Sequence, residues 1–393
     1  MFLYGTDMLI LILLCLWFLS QLTFYDISLK VSWRKKLAFS SYDLFLIGFL
    51  AVSAISIKNA INPALGWYQL LKLMELSALY FYVKSNVDRV FDIKTSFLVF
   101  IASGFFQAVL GILQYIRQAD LGLRWLGETV LNPDLFNVAI FFADGEKIMR
   151  PYGTLPHPNV LALFLFMTVF IFYFFYIKKD KFSHSKIGLV IYSILLFGLF
   201  LTFSRIVVFA WVVGAGLIWF IFSKKFSHTD ENLSLKKLTI ATFAVMILFS
   251  ILFWPQVMAR LNISPQEEAV SLRGFYNKVS LYEKPFFGVG LGNFVNWFKE
   301  ISPGLAPNLY QPVHNIYLLI FSEAGILGLV LFLLFLFFII KEYSKLKSDQ
   351  PFHPVRNRGA LRALAISFGV HYSFLIIIVS FLFFGLFDHF LWT

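Results

Sequence analysis

The sequence predicts an all-α fold, a polytopic integral membrane protein of about ten transmembrane helices with two longer external loops. Its composition comes first: 59% of the 393 residues are hydrophobic and only 14% charged. Water-soluble domains hold roughly 45–50% and about 25%. Mean hydropathy is +0.77, and 50 residues are Phe. Apolar runs also recur at roughly the 20 residues a helix needs to cross hydrocarbon. A soluble core of this size would leave large apolar patches in water. A cytosolic enzyme, a secreted disulfide scaffold and an ordinary nucleic-acid module are excluded. The single cysteine, Cys15, lies in an apolar run and has no intrachain partner. The first apolar run reads as a span and not as a cleavable signal, because no small-residue cleavage site follows it.

Taken in order, spans are expected over 8–25, 40–58, 67–84, 96–116, 158–177, 187–204, 206–223, 238–254, 315–340 and 363–385. Within the third, Lys72 and Glu75 lie one turn apart and are expected to pair or face polar neighbours. Residues 158–177 open on Pro158, a residue suited to the first turn of a helix. The 37 residues 187–223 are too long for one span and are broken by Arg205, so they read as a hairpin with Arg205 at its turn. The run 315–340 is long enough to tilt or to extend beyond the core.

Orientation follows from the basic loops, since Lys and Arg gather on the cytoplasmic side. The alternating loops 25–39, 84–95, 178–186, 224–237 and 341–362 hold 21 of the 33 basic residues. They are expected inside, with both chain ends outside. The same rule accounts for the net charge of +11 without a nucleic-acid partner. The external loops are then 117–157 and 255–313, and long connections of this kind are uncommon unless functional. No repeat, low-complexity tract or soluble domain is evident, so residues 1–393 form one membrane domain.

The polar residues of the external side are Arg150, His157, Asn159, Arg205, Arg273, Asn277, Glu283, His314, Asn315, Asp388 and His389, with Glu323 about two turns into a span. Charges at membrane depth are costly and face a bundle interior or a wet cavity. A pocket lined by arginines and histidines attracts an anion bearing phosphate or carboxylate. Each residue also has a plain reading. Arg205 can snorkel to the headgroups, Arg273 can lie on a solvated helix face, His314 can cap a helix, and Glu323 can pair with a neighbouring cation. Trp125, Tyr152, Tyr276, Trp297 and Tyr310 could stack on sugar rings, although such residues more often anchor a membrane interface. Gly288, Gly290 and Gly292 lack the spacing and context of a dinucleotide loop and read as a tight re-entrant turn. No Asp-x-Asp pair and no zinc-type Cys/His spacing is present, so no metal or cofactor is expected.

Four motifs, in order, resemble those of the O-antigen ligase and polymerase superfamily. Arg150-Pro-Tyr-Gly-Thr-Leu-Pro-His157-Pro-Asn159-Val-Leu-Ala is similar to its Gly-Thr-x-x-His-Pro-Asn segment, and Leu201-Thr-Phe-Ser-Arg205 to its Thr-x-Ser-Arg hairpin. Arg273 followed by Pro285-Phe-Phe-Gly288-Val-Gly290-Leu-Gly292-Asn293-Phe resembles its arginine and glycine-rich loop. His314-Asn315-Ile-Tyr317-Leu and Glu323-Ala-Gly resemble its His-Asn-x-Tyr-Leu and Glu-x-Gly segments. Together they mark a core over residues 145–340 that includes the loop 255–313.

The resemblance implies a GT-C-like, metal-independent glycosyltransferase in the plasma (inner) membrane, with its active site on the extracytoplasmic side. The implied donor is a glycan on undecaprenyl pyrophosphate, and the acceptor a glycan, lipid or protein hydroxyl. By the same resemblance Arg205 and Arg273 grip the pyrophosphate and His314 activates the acceptor. Arg150, His157, Asn159, Asn315, Tyr317 and Glu323 shape the substrate pocket. Family members commonly have about twelve spans with both ends inside, so the present count and orientation depart from the pattern. Direct displacement with one base and no nucleophilic carboxylate predicts inversion at the anomeric carbon. The rival reading is a transporter or flippase of a lipid-linked or anionic solute, with Lys72, Glu75 and Glu323 lining its path. A polar cluster on one face, with no repeat, favours the transferase.

Overall fold

The computed structural model describes residues 5–23, 39–86, 93–136, 138–177, 185–225, 230–262, 268–282, 286–344, 377–380 and 382–387. Long helices form at nine of the expected spans: α1 (Gly5–Thr23), α2 (Asp43–Ser56), α3 (Pro63–Asn86) and α4 (Ile93–Arg117) before the first long loop. After it come α5 (Pro158–Ile177), α6 (Lys186–Leu201), α7 (Arg205–Lys225) and α8 (Asp230–Leu252), and α12 (Ile316–Ser344) follows the second. Four of these contain stretches long and apolar enough to cross a membrane, Lys94–Arg117, Pro158–Tyr176, Ser234–Leu252 and Ile316–Glu342. Thr6–Leu19, Lys186–Leu201 and Arg205–Phe220 are shorter apolar helical stretches. The tenth expected span, 363–385, falls mostly outside the described residues, which show only its helical end at 377–380 and 382–385. Glu283, Asp388 and His389 also lie outside the described residues.

Outward-facing positions on these helices are apolar. Leu9 is 68% exposed, Ile116 73%, Ile240 69% and Ile251 73%. Surfaces of this kind are stable against lipid and not against water. With the apolar helices, they make the chain a polytopic membrane protein.

The helices pack into two groups. One core joins α4, α5, α6, α7 and α8 around Leu161, Phe166, Tyr192, Leu199 and Trp211. Three hydroxyls inside it are linked: those of Tyr192 and Thr242 lie 2.6 Å apart and those of Tyr173 and Tyr192 3.0 Å apart. The second core joins α2, α3 and α12 around Phe49, Leu70, Leu319 and Ile320. The C-terminal helical end bridges them. Phe383 meets Phe209 of α7, and Phe384 meets Phe166 of α5. The Tyr317 hydroxyl of α12 donates to the Leu382 carbonyl at 2.7 Å.

Three features differ from the sequence expectation. The fold is not purely helical: β1 (Ile140–Ala143) and β2 (Glu146–Met149) pair antiparallel in the first long loop. Asp144 and Gly145 link them with φ of 50° and 82°. Positive φ at both central residues is the type I′ geometry that matches strand twist. The second loop is largely helical, with α9 (Trp254–Leu261), α10 (Glu268–Val279) and α11 (Phe294–Ile301). Finally, α12 does not run straight through; it breaks at Gly325, where φ is 72° and ψ −177°.

Two sets of charges on the helices are ion-paired. Lys72 of α3 bonds Asp7 of α1 and lies 3.5 Å from Glu75. Lys84 lies 2.6 Å from Asp43, whose other carboxylate oxygen accepts the Tyr80 hydroxyl at 2.8 Å.

Candidate active site

The site is built on three backbone devices outside the apolar helix bodies. The first is the segment leading into α5. Two glutamines seven residues apart on α4 hold it by its main chain. Gln114 accepts from the Tyr152 and Gly153 amides at 3.0 and 2.8 Å and donates to the Gly153 carbonyl at 2.8 Å. Gln107 accepts from the Thr154 amide at 2.9 Å and donates to the Thr154 hydroxyl at 2.7 Å. Each glutamine thus supplies the bonds a strand would otherwise give to buried backbone. The chain then turns at His157, whose Nδ1 accepts the Asn159 amide at 3.1 Å. His157 therefore caps the start of α5.

The second device is the turn between α6 and α7. Arg150 is buried, donates from Nε to the Thr202 carbonyl at 2.7 Å and from its Nη to the Asn159 side-chain oxygen at 2.7 Å. The Ser204 hydroxyl reaches the same Asn159 oxygen at 3.2 Å. Arg150, Asn159 and Ser204 thus form one network that holds the turn against the α5 start. Phe203, between Thr202 and Ser204, has φ of 47°. A bulky residue in the left-handed region costs roughly 1–2 kcal/mol. Contacts of its buried ring with Tyr115, Phe141 and Phe249 offset that cost. This strained turn delivers Arg205 at the first position of α7. Arg205 donates from Nε to the Arg260 carbonyl of α9 at 2.6 Å, and Arg260 donates back to the Phe203 carbonyl at 3.2 Å.

The third device is the foot of α12. Asn315 caps it, its side-chain oxygen accepting the Tyr317 and Leu318 amides at 3.0 and 3.1 Å. His314 stands just before the cap, with its ring 6.3 Å from that of Tyr276 on α10. Arg273 precedes Tyr276 by one turn, so the two share a side of α10. Tyr276 is buried and donates to the Leu309 carbonyl at 2.8 Å.

Behind this foot lies the glycine loop. Val289 and Gly290 donate to the Ser322 and Glu323 carbonyls at 2.8 and 3.1 Å, seating the loop on the break in α12. Glu323 is buried, and its carboxylate accepts the Gly292 amide at 2.9 Å and the Phe294 amide at 3.3 Å. An acidic group there also suits the α11 N-terminus. Asn293 ties the loop to the start of α3 through Asn62, at 2.8 and 3.1 Å.

The structure thus brings the sequence-predicted residues into two sets. Arg150, His157, Asn159 and Arg205 lie at the α5 start and the α6–α7 turn, while Arg273, His314, Asn315 and Tyr317 lie at the α12 foot. The bridging C-terminal helix touches both sets of helices. Glu323 stands apart, engaged with the backbone of the glycine loop. Replacing it by Gln leaves an amide nitrogen where one of two N–H donors needs an acceptor. A buried donor left unsatisfied costs about 1–3 kcal/mol, so Glu323→Gln is expected to lower the melting temperature measurably in nanodiscs. Of the candidate sugar-stacking aromatics, Tyr152 and Tyr276 are only 4% and 1% exposed and present no face, whereas Trp125 is 80% exposed. An apolar groove on α8, lined by Phe243, Met246, Ile247, Ser250, Ile251 and Trp254, is lined by none of these charged groups.

Residues 189–333 match the family model described as O-antigen ligase. Over that stretch the chain is similar to the O-antigen ligase family. No curated protein matches it. That similarity, with the apolar helices, supports a role in membrane glycan transfer and polysaccharide biosynthesis. The matched stretch contains Arg205, Arg273, His314, Asn315, Tyr317 and Glu323. Arg150, His157 and Asn159 precede it, yet Arg150 and Asn159 bond directly to its first turn. Arg260, Gln107 and Gln114 were not singled out from sequence.

Proposed function

We propose that this protein, similar over residues 189–333 to the O-antigen ligase family, transfers or polymerises a glycan from an undecaprenyl-pyrophosphate donor onto an acceptor hydroxyl. The reaction takes place at the outer face of the plasma membrane, in one membrane domain with a catalytic core over residues 145–340. The orientation rests on the basic loops, and about ten spans are read from the apolar runs. The observation that carries the reading is the α12 foot, where His314 stands beside the helix that bears Arg273.

In this reading the acceptor oxygen attacks the anomeric carbon from the face opposite the phosphate, inverting it. The anomeric C–O bond breaks, and its electron pair leaves with the pyrophosphate. The acceptor proton passes to the His314 imidazole as the new bond forms. Arg205 and Arg273 stabilise the charge gathering on the leaving group. Arg150 and Asn159 hold the turn that presents Arg205, and Asn315 and Tyr317 hold the helix foot that presents His314. Arginine guanidinium groups are suited to an anionic leaving group and cannot ligate a divalent metal, which supports metal independence.

The contacts of the residues a transporter would use as its path favour the transferase reading. Lys72 bonds Asp7 and lies near Glu75, and Glu323 holds a loop. The test uses protein in nanodiscs with host lipid extract as donor and EDTA throughout, following release of undecaprenyl pyrophosphate by mass spectrometry. Release by the native chain is expected to persist in EDTA and to fall at least about a hundredfold in Arg205→Ala. Equal release from both proteins would remove Arg205 from the site.

A further inference from the structure

Among the described cations of the second long loop, Arg260 differs in what it touches. It lies in the last turn of α9, where a cation complements the helix dipole. Its carbonyl takes the Arg205 Nε–H at 2.6 Å. Its guanidinium donates to the carbonyl of Phe203, the strained residue of the α6–α7 turn, at 3.2 Å. The same guanidinium lies 5.6 Å from the centre of the Phe141 ring in β1. One residue thus clasps the strained turn, the first long loop and the side chain of Arg205.

We propose that Arg260 is a positioning residue, clamping α9 to the α6–α7 turn so that the Arg205 guanidinium is held ready for a pyrophosphate group. The identity of that anion rests on the transferase reading above. An arginine side chain has many rotamers, and its planar fork grips a phosphate best when already oriented. A main-chain carbonyl on Nε fixes the plane of the guanidinium. That carbonyl stays in place only while α9 stays docked, and the Arg260 side chain docks it together with the packing of Val257 and Ala259 on the first core. The clasp also secures the left-handed Phe203, so the strain of the turn and the orientation of Arg205 are maintained by one contact.

The test measures binding of inorganic pyrophosphate to the full chain in nanodiscs by calorimetry. The proteins compared are the native chain, Arg205→Ala, Arg260→Ala, Arg260→Lys, and each Arg260 variant combined with Arg205→Ala, with Lys147→Ala as a surface control. Arg260→Ala is expected to weaken binding about tenfold, and Arg260→Lys, which keeps length and charge but not the fork, about threefold. A merely structural or independent contact multiplies with other losses, whereas a residue acting through Arg205 does not. Each double variant is therefore expected to bind no more weakly than Arg205→Ala alone, and Lys147→Ala to bind like the native chain. Should Arg260→Ala fail to fold, the Lys variant and its double carry the same cycle. Multiplicative losses in the doubles, native affinity in both Arg260 variants, or no pyrophosphate affinity in the native chain would each overturn the inference. Pyrophosphate binding with the expected cycle, but no release of undecaprenyl pyrophosphate from donor lipid, would overturn the transferase reading and leave the clamp standing.

Discussion

His314→Ala is expected to lower glycan transfer by about 10²–10⁴-fold, the range over which a positioned general base acts. The loss should come without unfolding. The cap of α12 belongs to Asn315, whose side chain takes two of the unpaired amides at the helix start, so the helix foot survives removal of the neighbouring imidazole. The Tyr276 ring loses one packing partner but keeps its hydrogen bond to the Leu309 carbonyl and its ring contact with Phe298. Asn315→Ala provides the contrast. Losing a helix cap costs about 1 kcal/mol of stability, so that variant should melt earlier while folded molecules keep turning over. Release of undecaprenyl pyrophosphate and melting temperature, measured side by side, separate the two. If His314→Ala kept activity within about threefold of native while folding normally, proton removal would have to be assigned elsewhere.

Much of the architecture was written in hydropathy. Runs of apolar residues of bilayer length marked nine positions where helices form, and Pro158 and Arg205 fall at the first residues of α5 and α7. Hydropathy averages are blind to backbone angles, however, and this accounts for what was missed. Gly325 sits in an apolar run like any other glycine; only the loop wedged against it reveals the break. The Ala143-Asp144-Gly145-Glu146 turn did carry a hairpin signal, since Asp-Gly accepts two positive φ values, but the flanking strands are short and a count of spans passes over them. Gln107 and Gln114 were also legible in principle. Two amides seven residues apart share a helix face, and within a span they must find partners. Arg260 carried no such signal. Its partners are about 55 residues away in sequence or more, and nothing local separates it from other loop cations. Glu323 shows the converse. Its motif pointed to the pocket, while its carboxylate is engaged by two amides of a loop about 30 residues upstream.

Gly325→Ala is expected to be the most destabilising single methyl addition at the α12 break, at about 3 kcal/mol or more. Two independent terms add. With φ 72° and ψ −177°, the residue occupies a region that side chains other than glycine essentially do not adopt. A Cβ there would also stand 2.0 Å from the Phe286 carbonyl oxygen and 2.9 Å from the Gly288 amide, both main-chain atoms that cannot swing aside. Relief requires expelling the glycine loop, which breaks the Val289 and Gly290 bonds to α12 and the two bonds to the Glu323 carboxylate. A buried carboxylate stripped of its donors is itself costly, so the loop and the break should fail together. Gly216→Ala, on an exposed helical position of α7 with nothing within 4 Å of the added carbon, makes the control. Ala is favoured over Gly in a helix by about 1 kcal/mol, so that variant should melt no earlier than native. Melting in nanodiscs reads the difference, and hydrogen exchange localises it: amides 289–294 should lose protection in Gly325→Ala and keep it in Gly216→Ala. Because the same loop ties α12 to the start of α3 through Asn293 and Asn62, its release loosens the foot that carries His314. Transfer activity should then fall along with stability, although Gly325 itself touches no reacting group.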